Sequence, residues 1–406
     1  MFRNILQRLK ELLYRMNLIR GLNDVAQHKE LNVNEELYDH IDKWKRLYKG
    51  YLKEWHDLKY QTIEGTQTRK MDTLNMPKIV SEEMARLIFN EKCEINISDE
   101  QLNENIKAIF KKERFYKKFQ DYLEYMFAMG GQTIKPYVED GELKLSYTTA
   151  DCFIPITWHN DTITEGVFLD ETHKGKYKYT LLEWHLKNGN QIIIRNDLYR
   201  SEHSDLGIQV PLSELYPNLD EEVIINNVEQ PIFTYFKPNI ANNIDLTSPL
   251  GISIFGNALD TMKMLDTMFD SFNREFRLGK KRILVPNHMV KMVVDPNTGQ
   301  MVRYFDATDE TYEAFNGSEM DEDTIRDISV ELRVEEHISA INATLNLLAM
   351  QTGFSAGTFS FDGQSVKTAT EVVSEQSKTF KTKQSHETII EAGIQELIQS
   401  ICDVAQ

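Results

Sequence analysis

Apolar residues recur at three- and four-residue steps along the first third of the chain, which is the spacing of one helix face. The stripe is clearest in one set of five residues: Leu37, Ile41, Trp44, Tyr48 and Tyr51. A second helix is predicted from Ser81, which suits an N-cap, and a third over 101–129, ending at Gly130–Gly131. The pattern therefore predicts a mainly helical part over 1–131.

From 132 to 251 the period of the apolar positions changes to two, as expected for half-buried strands. Asp140–Gly141 and Asn188–Gly189 each stand between two alternating runs, and such dipeptides favour hairpin turns. Further strands are predicted at 163–170, 178–187, 190–195 and 231–236. A β-rich part of modest size therefore follows the helical part.

Helical periodicity returns over 252–279 and again over 330–353. The segment between these helices, 280–329, contains short strand-like runs such as KRILVP and VKMVVDPNTGQMVRYF, followed by an acidic stretch. A last helix is predicted from Thr368, because Thr368-Ala369-Thr370-Glu371 matches the capping-box pattern. The predicted fold class is α+β, with two long helices on either side of a small α/β insertion.

The connection between the last two helices, 354–367, is the most unusual stretch. The sequence around it, GFSAGTFSFDGQSVKTATEV, places three phenylalanines among glycine, serine and threonine. Gly353 suits the end of the preceding helix, so the loop is bounded on both sides. Loops of about fourteen residues are longer than ordinary connections and often carry function. The aromatic side chains either pack or face a ligand, and the pattern leaves Phe359 and Phe361 open.

Charge restricts the classes of partner. The chain has 406 residues and a formal net charge of -17, which argues against tight wrapping of a nucleic acid. Its three cysteines lack metal-site or disulfide spacing, and no run of eighteen apolar residues predicts a membrane span. Residues 1–20, MFRNILQRLKELLYRMNLIR, are basic and amphipathic, and we interpret them as a packed or docking helix, with membrane-surface binding as the alternative.

No nucleotide-binding, nucleophile-elbow or HExxH motif is present, so no catalytic residue, cofactor or metal site is predicted. Twelve Asp or Glu residues stand against two Arg over 306–336, and Asp321, Glu322 and Asp323 could hold Mg²⁺. A metal-dependent nuclease is therefore one alternative function. A basic cluster could touch phosphates briefly or simply stabilise a helix end; it comprises Arg274, Arg277, Lys280, Lys281 and Arg282.

The order of parts resembles that of bacteriophage portal proteins, the portal or minor capsid proteins of tailed phages of Gram-positive bacteria. The resemblance is carried by 237–276 (KPNIANNIDLTSPLGISIFGNALDTMKMLDTMFDSFNREF), 363–380 (GQSVKTATEVVSEQSKTF), 41–51 and 75–91. It implies a ring, typically a dodecamer, at one capsid vertex of the virion, assembled in the host bacterial cytoplasm. A capsid scaffold or adaptor without a channel is the other alternative.

The resemblance assigns each part a place: 1–251 is the wing, 252–279 and 330–353 the two stem helices, 280–329 the clip, 354–367 the tunnel loop. Residues 368–406 form a wing or crown-proximal helix, with the crown short or absent. Double-stranded DNA, terminase, head-completion adaptors, and major capsid and scaffolding proteins are the implied partners, without a membrane. The residues expected to face DNA, with packing favoured for the first, are Phe354, Ser355, Thr358, Phe359, Ser360, Phe361, Gln364, Ser365 and Lys367.

Overall fold

Helices and strands come in blocks along the chain, as the change of apolar period predicts. The computed structural model describes residues 35–62, 65–90, 92–202, 207–279, 282–284, 291–294, 299, 301–304, 326–328, 331–361 and 369–405. Its α-helices are α1 (Glu35–Tyr48), α2 (Lys53–His56), α3 (Met76–Ile88), α4 (Glu100–Lys112), α5 (Phe115–Met129), α6 (Leu259–Leu278), α7 (Val334–Gln351) and α8 (Ala369–Ala405).

The strands follow the same order. They are β1 (Asp57–Thr62), β2 (Gly65–Lys70), β3 (Gln132–Glu139), β4 (Glu142–Thr149), β5 (Phe153–His159), β6 (Thr162–Lys174), β7 (Tyr177–Asn188), β8 (Gln191–Ser201), β9 (Ile208–Val210), β10 (Glu222–Asn226), β11 (Thr234–Phe236), β12 (Arg282–Leu284), β13 (Lys291–Val294), β14 (Met301–Tyr304) and β15 (Arg326–Ile328). The mixed α and β class is confirmed.

The helical part differs from the prediction at the helix expected over 101–129. It is two helices, because Arg114 takes a left-handed conformation with φ of 53° and turns the chain. The rings of Phe110 and Phe115 stack at 4.0 Å between centroids across this turn. In one continuous helix these two positions would point about 140° apart, so the break lets both aromatic rings enter the same core.

A hairpin inside the mainly helical part was also not predicted. Strands β1 and β2 pair antiparallel from Asp57↔Lys70 to Thr62↔Gly65. The side chains of β2 are mostly exposed and polar. The strand therefore lacks the alternation of apolar and polar residues by which a strand is recognised in a sequence. The end predicted at Gly130–Gly131 for the helix over 101–129 is confirmed, since α5 ends at Met129 and Gly130 follows it with φ of 87°.

The main sheet is antiparallel in the order β10–β8–β7–β6–β5, with β9 beside β8, and a smaller sheet has the order β11–β3–β4. The strands predicted at 163–170, 178–187 and 190–195 are present and longer than expected, whereas β11 is shorter. Both hairpins are confirmed; in the second, Asn188 pairs with Gln191, so Gly189 begins the turn. Strands β5, β9 and β10 were not predicted.

The helix expected over 252–279 begins only at Leu259. The residues before it form an irregular segment, and Leu250, Ile252, Ile254 and Phe255 are all buried. The Ile254 N–H donates to the Phe127 carbonyl at 2.9 Å, so the segment is bonded into the core rather than into a helix. An apolar run buried on every side shows no period, which explains the error.

Helix α8 crosses the smaller sheet and packs on β3, β11 and α3. The Asn239 N–H donates to His386 Nδ1 at 2.9 Å, and Ser400 Oγ donates to the Pro231 carbonyl at 3.2 Å. A Cβ at Gly393 would lie 2.6 Å from the Phe236 ring, so only glycine allows this close approach. The last helix therefore belongs to the same core as α3, β3 and β11.

The segment between the long helices contains two short antiparallel pairs among its described residues. Strand β12 pairs with β15, and β13 pairs with β14. The helix predicted over 330–353 begins at Val334 and ends at Gln351, and Thr368, the predicted start of the last helix, lies outside the described residues. No helix in the described ranges has the length and apolarity that crossing a membrane requires.

Candidate functional site: the helix pair and the segment that follows it

Helices α6 and α7 run antiparallel and share an apolar seam. Thr344 Oγ1 lies 3.6 Å from Met268 Sδ, and the Phe272 ring lies 5.5 Å from the His337 ring. Apolar side chains of both helices are buried: Met262, Leu265, Ile341, Leu345 and Leu348. The pair is therefore held together by packing along its length, as expected for helices with apolar stripes.

One ion pair joins the two helices where the chain leaves for the inserted segment. Arg333 Nε donates to Glu275 Oε1 at 3.0 Å and Nη2 donates to Oε2 at 2.8 Å. This fork-shaped contact lowers the pKa of the Glu275 carboxyl to about 2, so the group is charged at neutral pH. The pairing fixes the end of α6 against the beginning of α7.

The opposite side of α6 carries a buried carboxylate, Asp270. Arg69 Nη1 donates to its Oδ1 at 2.6 Å and Nη2 donates to Oδ2 at 2.5 Å, while the Asp72 N–H donates at 3.2 Å. The hydrogen bonds from the Arg69 guanidinium lower the pKa of the Asp270 carboxyl. We call this contact the Arg69–Asp270 clamp, because it ties the β1–β2 hairpin to α6.

A second buried carboxylate, Asp266, lies one turn earlier on the same side of α6. Its Oδ1 accepts from Thr73 Oγ1 at 2.7 Å and from the Leu74 N–H at 3.1 Å, and His56 Nε2 lies 3.6 Å from Oδ2. Burial raises the pKa of the Asp266 carboxyl. Two aspartates four residues apart thus have opposite pKa shifts, because only Asp270 has an arginine partner.

The segment after α7, residues 354–361, begins at a specific helix end. Gly353 has φ of 84°, and the Phe354 N–H donates to the Ala349 carbonyl at 2.8 Å, as in a Schellman motif. The Ser355 N–H then donates to Thr379 Oγ1 at 2.8 Å, and the Thr379 N–H donates back to Ser355 Oγ at 3.1 Å. These reciprocal bonds fasten the segment to α8.

Two asparagines on α7 hold the rest of the segment. The Gly357 N–H donates to Asn346 Oδ1 at 2.7 Å, and the Phe361 N–H donates to Asn342 Oδ1 at 2.8 Å. Because Asn342 and Asn346 are four residues apart, both amides lie on one face of the helix. Residues 354–361 therefore fold back along α7 instead of standing away from it.

The three phenylalanines of this segment all contact other aromatic rings. Phe354 is fully buried and lies 5.1 Å from Phe359, while Phe361 lies 5.8 Å from Phe272. The packing favoured for Phe354 is confirmed by its burial, and Ser355 is buried as well, so neither side chain is exposed for the predicted DNA contact in this chain. Phe359 and Phe361, left open by the sequence, are half-buried.

The remaining members of the predicted site fall into two groups. Thr358 and Ser360 are exposed on the outer side of the segment. Gln364, Ser365 and Lys367 lie outside the described residues. The structure thus leaves three exposed side chains in the described half of the predicted loop, those of Ala356, Thr358 and Ser360, and all three are small and uncharged.

The structure describes three of the five residues of the basic cluster. Arg274 and Arg277 are exposed on α6, Arg282 begins β12, and Lys280 and Lys281 lie outside the described residues. Arg274 contributes to lowering the pKa of Asp270, after the larger effect of Arg69. Arg277 lies in the last turn of α6, where a cation stabilises the negative helix end.

The acidic residues proposed as metal ligands, Asp321, Glu322 and Asp323, lie outside the described residues. Within the described ranges, His, Cys, Asp and Glu side chains form no group of three that could hold a metal ion. The described part of the chain therefore gives the nuclease alternative no support.

Sequence reasoning missed the polar residues that position the helix pair. Asp266 and Asp270 lie four residues apart at buried positions of α6, and Asn342 and Asn346 have the same spacing on the more exposed side of α7. For the aspartates, two carboxylates with helical spacing among buried apolar positions were the available signal. Their partners come from distant positions, so pattern alone could not name them.

Comparison with known families identifies one that covers nearly the whole chain. A family model described as "Phage portal protein, SPP1 Gp6-like" matches residues 27–406, which include every element from α1 to α8. No protein with a curated description matches the chain significantly. The match confirms the resemblance seen in the sequence, and the family is a structural, non-enzymatic one. The chain therefore belongs to the SPP1 Gp6-like family of phage portal proteins, components of the virion capsid that serve DNA packaging.

Proposed function

We propose that this chain is one subunit of a ring, typically a dodecamer, through which double-stranded DNA enters and leaves the capsid. The α6–α7 pair would form the stem, and the exposed part of 354–367 would line the narrowest part of the channel. One observation supports this most directly: residues 338–361 contain no Asp, Glu, Lys, Arg or His, although 27% of the chain is charged.

An uncharged surface over 354–361, the part of the loop that precedes Asp362 and Lys367, suits a molecule that has to move. Lysine and arginine hold phosphates by releasing counterions, and carboxylates repel them, so either would slow or obstruct passage. Thr358 and Ser360 are exposed, while Asn342, Asn346 and Thr379 hold the backbone behind them. A fixed surface of small hydroxyl groups would contact DNA without retaining it.

The other parts of the chain would serve the remaining partners. Residues 280–329 would form the clip and bind terminase and then head-completion adaptors, since they leave the helix pair at one end. Arg274 and Arg277, exposed beside that end, would make brief phosphate contacts. The wing, 1–251 with α8, would face the major capsid and scaffolding proteins.

The lining is tested by adding positive charge where the surface is uncharged. The double variant Thr358→Lys/Ser360→Lys should still form rings in negative-stain images but should package DNA more slowly in vitro. The defect should shrink as salt rises, because the added contacts are electrostatic. Thr358→Gln/Ser360→Gln is the matched control, and it should package at close to the normal rate because it adds length without charge.

Two results would contradict the proposal. A purified chain that forms no ring under any condition would exclude the channel. Rings of the lysine variant that package DNA as fast as the glutamine control, at low salt as well as high, would remove residues 358–360 from the path of the DNA.

A further inference from the structure

An open cleft of about 1160 Å³ lies far from the helix pair, between the main sheet and the β3–β4 hairpin. Register places Glu183 and His185 of β7 beside Asn196 and Ile194 of β8, so their side chains share one face of the main sheet. The hairpin covers this face with Lys135. The channel proposal makes no use of this cleft.

The floor of the cleft carries a chain of polar contacts. Lys135 Nζ donates to Glu183 Oε2 at 2.5 Å, and His185 Nε2 lies 2.6 Å from Glu183 Oε1. Burial lowers the pKa of His185, so the ring is neutral at physiological pH. Because a carboxylate only accepts, the imidazole proton is on Nε2 and Nδ1 is an acceptor.

Two buried acceptors at the floor have no hydrogen-bond partner among the residues that the structure describes. One is His185 Nδ1, on a side chain 2% exposed, and the other is Asn196 Oδ1, on a side chain 5% exposed. Asn196 Nδ2 donates to the Asp220 carbonyl at 2.8 Å, which fixes the orientation of its amide. Leaving a buried acceptor without a donor costs free energy, so a donor group that enters here would be favoured.

The walls of the cleft select the kind of donor. Acidic lining residues outnumber basic ones, with Glu139, Asp140, Asp170 and Glu183 against Lys135. The mouth is apolar, and Tyr137, Leu219 and Val223 are each more than a third exposed. An occupant should therefore combine apolar side chains with ammonium or guanidinium groups.

We propose that this cleft binds residues 1–20 of the same chain. That segment contains Arg3, Arg8, Lys10, Arg15 and Arg20 against one acidic residue, Glu11, a net charge of +4. Its apolar residues recur at helical steps, so an apolar face would meet the mouth while a basic side chain reaches the two free acceptors. Charge and amphipathicity both match the cleft.

The segment can reach the cleft from the place where the described chain begins. Helix α1 lies beside the cleft, because Tyr38 Oη donates to the Phe153 carbonyl at 2.8 Å and the neighbouring Cys152 is a lining residue. Residues 21–34 separate α1 from the basic segment. Fourteen residues span up to about 46 Å when extended, which is ample for a cleft next to α1.

Hydrogen–deuterium exchange of the full-length protein tests this docking. In the wild type, amides of 1–20 should be protected. In Leu219→Lys/Val223→Lys, whose new charges repel the segment at the mouth, they should exchange about tenfold faster or more, equivalent to about 1.4 kcal/mol. Ile208→Lys/Leu246→Lys is the matched control, because both residues are exposed and apolar but do not line the cleft.

A second variant changes the ligand instead of the cleft. In Arg8→Glu/Lys10→Glu/Arg15→Glu the amides of 1–20 should lose the same protection. Because the cleft of this variant is then free, a labelled synthetic peptide with the wild-type 1–20 sequence should bind to it, as measured by fluorescence anisotropy. Unchanged exchange in β7 and β8 excludes unfolding as the cause. Three results would overturn the proposal. The amides of 1–20 could be unprotected in the wild type, or equally protected in Leu219→Lys/Val223→Lys and in its control. The third is a peptide that binds equally well when Leu219→Lys/Val223→Lys is added to the cleft.

Discussion

Replacing Asp270 by asparagine should release the β1–β2 hairpin from α6. The carboxylate is 5% exposed and accepts from Arg69 through both oxygens and from the Asp72 N–H. Asparagine keeps the shape and one acceptor but removes the charge. It also presents an NH₂ group to the guanidinium, so one of the two Arg69 hydrogen bonds is lost.

The size of the effect follows from how far Arg69 can recover. Removing one partner of a fully buried ion pair costs about 3–5 kcal/mol, since the other charge stays buried. The Arg69 side chain is 23% exposed, so its guanidinium regains part of its hydration. We therefore expect a local cost of about 2–3 kcal/mol, which corresponds to about 30- to 150-fold faster opening of the hairpin.

Asp266→Asn is the matched comparison, one helical turn away. Burial already raises the pKa of Asp266, so the folded protein disfavours its charge. Thr73 Oγ1 and the Leu74 N–H both donate to Oδ1, an oxygen that asparagine retains. This variant should cost under about 1 kcal/mol, because an uncharged acceptor still satisfies both donors.

Hydrogen exchange at constant pH measures both variants. Amides of β2 and of Asp72 should exchange faster in Asp270→Asn, while those of β7 and β8 in the main sheet should not change. Exchange of the β2 amides within about threefold of the wild type, or an equal change in Asp266→Asn, would show that the Arg69–Asp270 clamp does not hold the hairpin.

Two further predictions concern α8 and the segment fastened to it. Gly353→Ala should lower the free energy of unfolding in urea by about 2 kcal/mol, because φ is 84° and the new Cβ would lie 2.6 Å from Thr382 Cγ2. Adding Thr382→Ser removes that methyl group, so it should restore only the part of the loss that is due to the clash. Full restoration of stability would contradict the argument from backbone strain. Burial lowers the pKa of His386 to about 4, so its contribution to stability should fall as the pH drops from 6.5 towards 4. His386→Gln keeps an acceptor for the Asn239 N–H, and it should make Tm depend less on pH in that window. An unchanged slope of Tm against pH would refute the role of His386.

The parts of the fold that sequence predicted are those with a strong local signal. The stripe through Leu37, Ile41 and Trp44 became α1, and glycine-containing turns marked both predicted hairpins. The two main errors have different physical causes. Over 250–255 every residue except Ser253 is apolar or glycine and the run is buried throughout, so the spacing of its apolar residues carried no information. At Arg114, stacking of the aromatic rings on either side decided the conformation of the chain.

For the candidate site, sequence identified the segment but not its conformation. A loop bearing three phenylalanines was correctly singled out, yet nothing local shows that Asn342 and Asn346 bind its backbone, or that Ser355 pairs with Thr379. These partners are brought together by tertiary packing. A capped helix end such as Gly353 is encoded locally, which is why that boundary could be predicted.

The way the segment is held also decides which of its side chains a ring could offer to DNA. Aromatic residues on an unsupported loop would collapse into any apolar surface, including that of a neighbouring subunit. Here the phenylalanines pack on rings of their own chain, and the asparagine contacts turn Thr358 and Ser360 outward. The apolar residues thus fix the backbone, and the small hydroxyl side chains form the surface. Substitutions at Phe354 should therefore act through folding, whereas those at Thr358 and Ser360 should act on the passage of DNA.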